Sequence, residues 1–164
     1  MLQEEIKNDL ISLQKEKNET GISVLRMLIS SIVNKNKDKR LKIATDNPQL
    51  NDSELDSKSI LTDEEIIEVV ASEVKKRRDS IQSFEAGGRN DLVEKEKSEL
   101  EFLKKYLPQE LTEDEIIAIV KEAKEKTNAT GMKDIGIIMK EISPKTKGRA
   151  DGNLVAKIVK EILQ

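Results

Sequence analysis

Three cations stand within five residues in the segment Pro144-Lys145-Thr146-Lys147-Gly148-Arg149-Ala150-Asp151-Gly152. Gly148 relieves a turn there, and Asp151 is placed to cap the helix that follows. Lys145, Lys147 and Arg149 on a short rigid loop can contact a phosphate backbone, which demands charge and placement rather than base-specific edges. From residue 131 to 164 there are seven Lys/Arg and four Asp/Glu, and Lys133 extends the basic set. The competing reading is that Arg149 hydrogen-bonds helix carbonyls while Asp151 only caps; the sequence leaves both open. Two other basic clusters carry less. Lys75-Lys76-Arg77-Arg78 lies mid-helix, where consecutive residues point in different directions, and reads as a solvated flank. Lys35, Lys37, Lys39, Arg40 and Lys42 fall in a stretch expected to be a loop, able to touch phosphate or simply to solvate it.

The rest of the inventory narrows the chemistry by what it lacks. The 164 residues contain neither His nor Cys. The side chain most used for acid–base work near neutrality is therefore missing, with the thiol nucleophile, the disulfide framework and the commonest metal ligands. There is no Gly-rich phosphate loop, no G-x-S-x-G elbow and no H-E-x-x-H helix. A Ser–Lys arrangement remains the one catalytic option, and a rare one. No catalytic residue, metal or cofactor is expected. The net charge is −3, so any nucleic-acid contact must come from a local patch. No apolar run approaches the ~18 residues of a membrane span, and the opening MLQEEIKNDL is acidic without an apolar stretch. A cytoplasmic chain with no membrane contact is the expectation.

The elements that must position these residues are helical. Ile, Leu and Val number 44, while aromatics make up 2% and charged residues 37%. Such a chain builds an aliphatic core on amphipathic helices, and the expected fold class is all-α. A first helix spans about residues 2–16 and a second about 20–34. Residues 35–60, rich in Asn, Asp, Ser and Lys around Pro48, show no sustained periodicity and read as a long mobile loop. Thr62 with Glu65, and Thr112 with Glu115, are capping boxes that open two further helices. The first runs to about Phe84, turns at Gly87-Gly88, and is followed by a helix capped by Asn90 or Asp91. Two polar residues, Arg77 and Glu96, fall on the apolar seams of this antiparallel hairpin. They are predicted to pair across it and fix its register. Pro108 marks a domain boundary between residues 1–107 and 108–164. The second part is expected to form three short helices, about 112–126, 132–142 and 152–163.

Several segments carry a resemblance. Val24-Leu25-Arg26-Met27-Leu28, the run KKRRDSIQSF from Lys75 to Phe84, Ala86-Gly87 with Arg89, and Tyr106-Leu107-Pro108 are among them. Asp134-Ile135-Gly136 with Met139, and Lys147-Gly148-Arg149-Ala150-Asp151-Gly152, complete the set. Together they resemble the YqeY-like proteins, a family that shares its helical C-terminal module with the B subunit of the glutamyl/aspartyl-tRNA amidotransferase. The resemblance covers nearly the whole chain apart from about 35–60. It implies two helical subdomains and a connection to tRNA or a tRNA-bearing complex, since in the amidotransferase the tail module helps to engage tRNA. It also implies a carbon–nitrogen ligase label with glutamine as amide donor, yet the catalytic part of the larger protein has no counterpart here. The chain departs from the pattern at Ile137, where a polar residue, often Lys, is expected. An Ile off the apolar stripe suits a protein contact instead. Three readings stand: a non-catalytic accessory protein bound to tRNA, a protein–protein adaptor using the hairpin, and an amidotransferase-like enzyme.

Overall fold

The computed structural model describes residues 1–164 as eight α-helices and one 3₁₀ turn, with no strand. The protein is all-α. None of its helices is long and apolar enough to cross a membrane. The chain divides into two compact units, Met1–Tyr106 and Leu107–Gln164.

In the first unit α1 (Leu2–Lys15), α2 (Glu19–Asp46), α3 (Asp52–Ser59), α4 (Asp63–Ala86) and α5 (Asn90–Lys104) follow in order. The buried residues of α4 include Ile66, Val70, Val74 and Arg77, a stripe at 3- and 4-residue steps that gives the helix one inward face. α2 crosses this hairpin and also contacts α1 and α3. Its first half supplies Val24, Leu25, Leu28 and Ile32, each no more than 2% exposed. The close approach has a steric basis at Gly21. A Cβ there would stand 2.8 Å from Leu13 Cδ1 and 2.9 Å from Phe102 Cε1. The end of the unit is tied down by Tyr106, which is buried and donates to Asp9 Oδ2 at 2.6 Å. Burial pushes the Tyr106 phenol well above its ordinary value, and the Asp9 carboxylate adds to the shift.

Residues 35–60 are not the loop expected from their composition. α2 continues through Asp46, and α3 follows after a short turn, opened by a capping box between Asn51 and Glu54. Apolar periodicity missed them because the interface they form is polar. Arg40 donates to Asp56 and Asp52 at 2.7 Å each, and Asn36 Nδ2 donates to Ser59 O at 3.0 Å. Lys39 donates to Ile60 O and Glu65 Oε2. Leu55 is the buried apolar residue of α3, whereas Leu41 on α2 is 69% exposed. Ion pairs have no 3.6-residue hydrophobic signature.

The hairpin register also differs from the predicted one. Arg77 is buried, but its partner is Glu99 rather than Glu96: Arg77 Nη2 donates to Glu99 Oε2 at 2.8 Å. Glu96 is half-buried, while Glu99 is 8% exposed. The reason is the centre of the turn. α4 ends at Ala86 and α5 begins at Asn90, so Gly88 is the midpoint, and Arg77 and Glu99 each stand eleven residues from it. Gly88 has φ +68°, and Arg89 N–H donates back to Phe84 O at 2.9 Å, closing the end of α4. A second carboxylate, Glu73 one turn earlier, places Oε2 3.6 Å from Arg77 Nη1. Glu73 in turn accepts from Ser31 on α2 and from Lys76. Neither Asn90 nor Asp91 caps α5. Arg89 occupies the N-cap position with no side-chain cap bond, and it forks onto Asp91 instead.

The second unit holds α6 (Glu113–Thr127), a 3₁₀ turn (Met132–Asp134), α7 (Ile135–Thr146) and α8 (Gly152–Leu163). Each α-helix contacts the other two. Their facing stripes, Ile116/Val120/Ala123, Ile138/Ile142 and Val155/Ile158/Val159, make one aliphatic core. α6 ends at Asn128 in the left-handed region, φ 52°. Lys124 reaches across to donate to Ile162 O at 2.6 Å, serving a carbonyl at the end of α8.

Candidate functional site

The segment from Lys147 to Gly152 is held in place by hydrogen bonds, with Ala150 packed against the aliphatic core. Lys147 N–H donates to Ser143 O, and the N–H groups of Arg149 and Ala150 both donate to Thr146 O, all at 3.0 Å. Gly148 takes φ +73°, a left-handed conformation that costs a side-chain-bearing residue roughly 1–2 kcal/mol. Leu111 N–H donates to Arg149 O at 2.7 Å, which sews the turn to the chain entering α6. The Asp151 carboxylate accepts from the N–H groups of Asn153 and Leu154, at 2.8 and 3.2 Å, and caps α8. The peptide chain through residues 147–151 is thus fixed at both ends.

The cations distribute differently from the sequence-based set. Lys145 is not in the loop. It sits in the last turn of α7, which runs through Pro144, and its Nζ donates to both carboxylate oxygens of Glu122 at 2.9 and 2.8 Å. That hydrogen bond and the lysine's charge hold the Glu122 carboxyl below its ordinary value. Lys147 is exposed at the C-cap of α7. Arg149 is half-buried and donates from Nε to Gln109 O at 3.2 Å. Its charge also reaches Glu115, whose carboxyl is lowered first by the Thr112 N–H, then by the Thr112 hydroxyl, with Arg149 adding to them. The carbonyl that Arg149 serves belongs to the segment between α5 and α6 rather than to a helix, and the side chain is only half-buried. Lys133 is exposed in the 3₁₀ turn, at the other end of α7. Twelve residues separate it from Lys145, about 18 Å of helix. Lys147 and Arg149 share the braced turn, whereas Lys145 stands in the last turn of α7 and Lys133 ahead of its first.

The capping residues take up defined geometry. Thr62 N–H donates to Glu65 Oε2 at 2.8 Å and Thr62 Oγ1 accepts from Glu65 N–H at 3.3 Å. The Thr112/Glu115 box repeats this at 2.7 and 3.3 Å. Asp134 accepts from the N–H groups of Thr130 and Gly131, which holds its carboxyl below the ordinary range and braces the turn carrying Lys133. The residues that sequence reading missed, Gln109 and Glu122, contribute a backbone carbonyl and a distant helix's carboxylate. Neither leaves a mark in local sequence. Ile137 on α7 is 55% exposed and Met132 in the preceding 3₁₀ turn 46%.

A family model described as Yqey-like protein matches residues 34–163. The chain is 28% identical over 158 residues to a protein of Pyrenophora tritici-repentis named altered inheritance of mitochondria protein 41, mitochondrial; the match covers 94% of this chain and 77% of the relative. It is also 29% identical over 108 residues to an uncharacterised protein of Schizosaccharomyces pombe, covering 66% of this chain and 73% of that one.

Proposed function

The chain belongs to the YqeY-like protein family, and from that premise we propose that it is a non-catalytic helical accessory protein that associates with tRNA or with a tRNA-bearing complex. The observation that carries this reading is the braced turn from Lys147 to Asp151. The turn is fixed by six N–H bonds before any ligand arrives, and it presents Lys147 and Arg149 from a fixed frame. Phosphate contacts need that combination of positive charge and low reorganisation. The acidic balance of the whole chain fits a local, few-contact association better than a coating one. The reading places the protein in the cytoplasm; the relative named for mitochondrial inheritance makes the organelle the alternative for cell fractionation to decide.

Binding to labelled total tRNA, measured at ~50 and ~200 mM salt, tests the proposal. Two or three phosphate contacts predict a loss of about tenfold to fortyfold in affinity over that fourfold change in salt. Lys147→Ala/Arg149→Ala is expected to remove most of the salt-sensitive binding. Lys145→Ala should matter less, because Lys145 stands in the last turn of α7, outside the braced turn. Absence of wild-type binding at either salt, or equal affinity at both, refutes the reading. A second reading, a protein–protein adaptor, draws on the exposed Ile137 and Met132, which offer apolar contact where a phosphate site would offer charge. Amide transfer from glutamine is the third, and turnover by the isolated chain would establish it.

A further inference from the structure

We propose that Met27 is a reversible oxidation site, whose sulfoxide oxygen is held by the buried guanidinium of Arg77. This goes beyond association with tRNA and stands independently of it. Met27 lies on α2 and is 51% exposed, which puts the residue within reach of peroxide from solvent. The chain has no cysteine, which leaves its four methionines as the most oxidisable side chains. What distinguishes Met27 is its neighbour. Its Sδ stands 4.0 Å from Arg77 Nη2. Arg77 is 6% exposed, and its Nε is buried with no hydrogen-bond partner.

Two carboxylates face the rest of that guanidinium. Nη2 donates to Glu99 Oε2 at 2.8 Å and Nη1 lies 3.6 Å from Glu73 Oε2. Ser31, one turn beyond Met27 on α2, donates to Glu73 Oε1 at 3.2 Å. The orphaned Nε costs free energy, and the thioether, a weak acceptor, stands against Nη2 and leaves that cost in place. A sulfoxide oxygen is a strong acceptor. In the reaction the methionine sulfur attacks one peroxide oxygen, the O–O bond breaks, and the other oxygen leaves as water after proton transfer. The sulfur is oxidised by two electrons and the peroxide reduced by two. In a closed apolar core the new dipole would disrupt packing. Beside Arg77 it meets a cation with unused donor capacity at the junction of α2, α4 and α5. Oxidation there strengthens the contact between α2 and the hairpin rather than loosening it.

The test uses the full chain carrying Met132→Leu and Met139→Leu, so that Met27 and Met1 are the remaining thioethers, resolved by peptide mass. Hydrogen peroxide is the oxidant and a methionine sulfoxide reductase the reversing reagent. Expected are conversion of Met27 at least as fast as that of Met132 in the unsubstituted chain, and a shift of the Arg77 Nε–H resonance with slower solvent exchange. The unfolding midpoint should hold or rise, and the reductase should return all three readouts. Met27→Gln, which supplies a carbonyl without oxidant, should slow the same exchange, whereas Met27→Leu should not. Three results would each overturn the proposal: Met27 resisting peroxide that converts Met132, oxidation leaving the Arg77 resonance unmoved, or a midpoint that falls on oxidation.

Discussion

Replacing Glu99 with Ala separates the observed hairpin register from the one predicted at sequence level. Arg77 would lose its 2.8 Å partner while staying at 6% exposure, and an uncompensated buried charge costs about 3–5 kcal/mol. The Glu73 carboxylate 3.6 Å from Nη1 remains, so the low end of that range, about 3 kcal/mol, is the expectation. For a unit of this size that lowers the thermal midpoint by roughly 10–20 °C. Glu96→Ala removes a half-buried carboxylate that Arg77 does not use, and should stay within about 0.5 kcal/mol. Urea unfolding followed by circular dichroism, fitted to the transition of the first unit, reads both variants. The double change Arg77→Met/Glu99→Leu should recover most of the loss, because removing both partners leaves no orphaned charge. Equal costs for Glu99→Ala and Glu96→Ala would refute the assignment. So would a double variant no better than Glu99→Ala.

Other expectations follow from single contacts. Glu115→Gln keeps the capping bonds of α6 but removes a titration. The Glu115 carboxyl is depressed below 4.5 by the Thr112 N–H, so its contribution is present above that value and lost as pH falls through the folded pKa. The variant should therefore show a shallower acid limb in a midpoint-versus-pH series, and an unchanged limb would discount the cap. Gly88→Ala forces a Cβ into φ +68° and should cost about 1–2 kcal/mol by chemical unfolding, although no atom stands within 4 Å of that Cβ. Amide exchange in α3 should be among the fastest of the helices, and faster still in Arg40→Ala, since exposed ion pairs and one buried leucine hold that helix. If α3 exchanges as slowly as α4, the polar interface is stronger than its contacts imply.

How much of this was legible in the sequence depended on which force held each element. Helices that bury an aliphatic stripe could be read from spacing, because Ile66, Val70 and Val74, or Val155, Ile158 and Val159, repeat with the helical period. Capping boxes are local, four-residue devices, and Thr62/Glu65 and Thr112/Glu115 announce themselves. The extension of α2 and the existence of α3 rest on Arg40, Lys39 and Asn36 meeting Asp52, Asp56, Ser59 and Ile60, and pairings over 12 to 23 residues leave no periodic trace. The seam was legible as a buried Arg77 but not as a pair. Its partner turns on whether the hairpin pivots at Gly88, a shift of one and a half residues that moves the facing carboxylate by three positions, from Glu96 to Glu99. At the basic segment the charges were visible, while the diversion of Lys145 to Glu122 and of Arg149 to Gln109 depended on tertiary contacts.

Tyr106 closes the first unit and Leu107 opens the second, with no residue between them. Where one partner reaches both units, its capture by either converts engagement of the other into an intramolecular event. The local concentration over so short a tether is on the order of millimolar. A contact too weak to register with a severed unit, with a dissociation constant near that value, would be about half occupied in the intact chain. Measured affinity would then belong to the junction as much as to either set of side chains, and dissecting the protein at residue 106 would erase it.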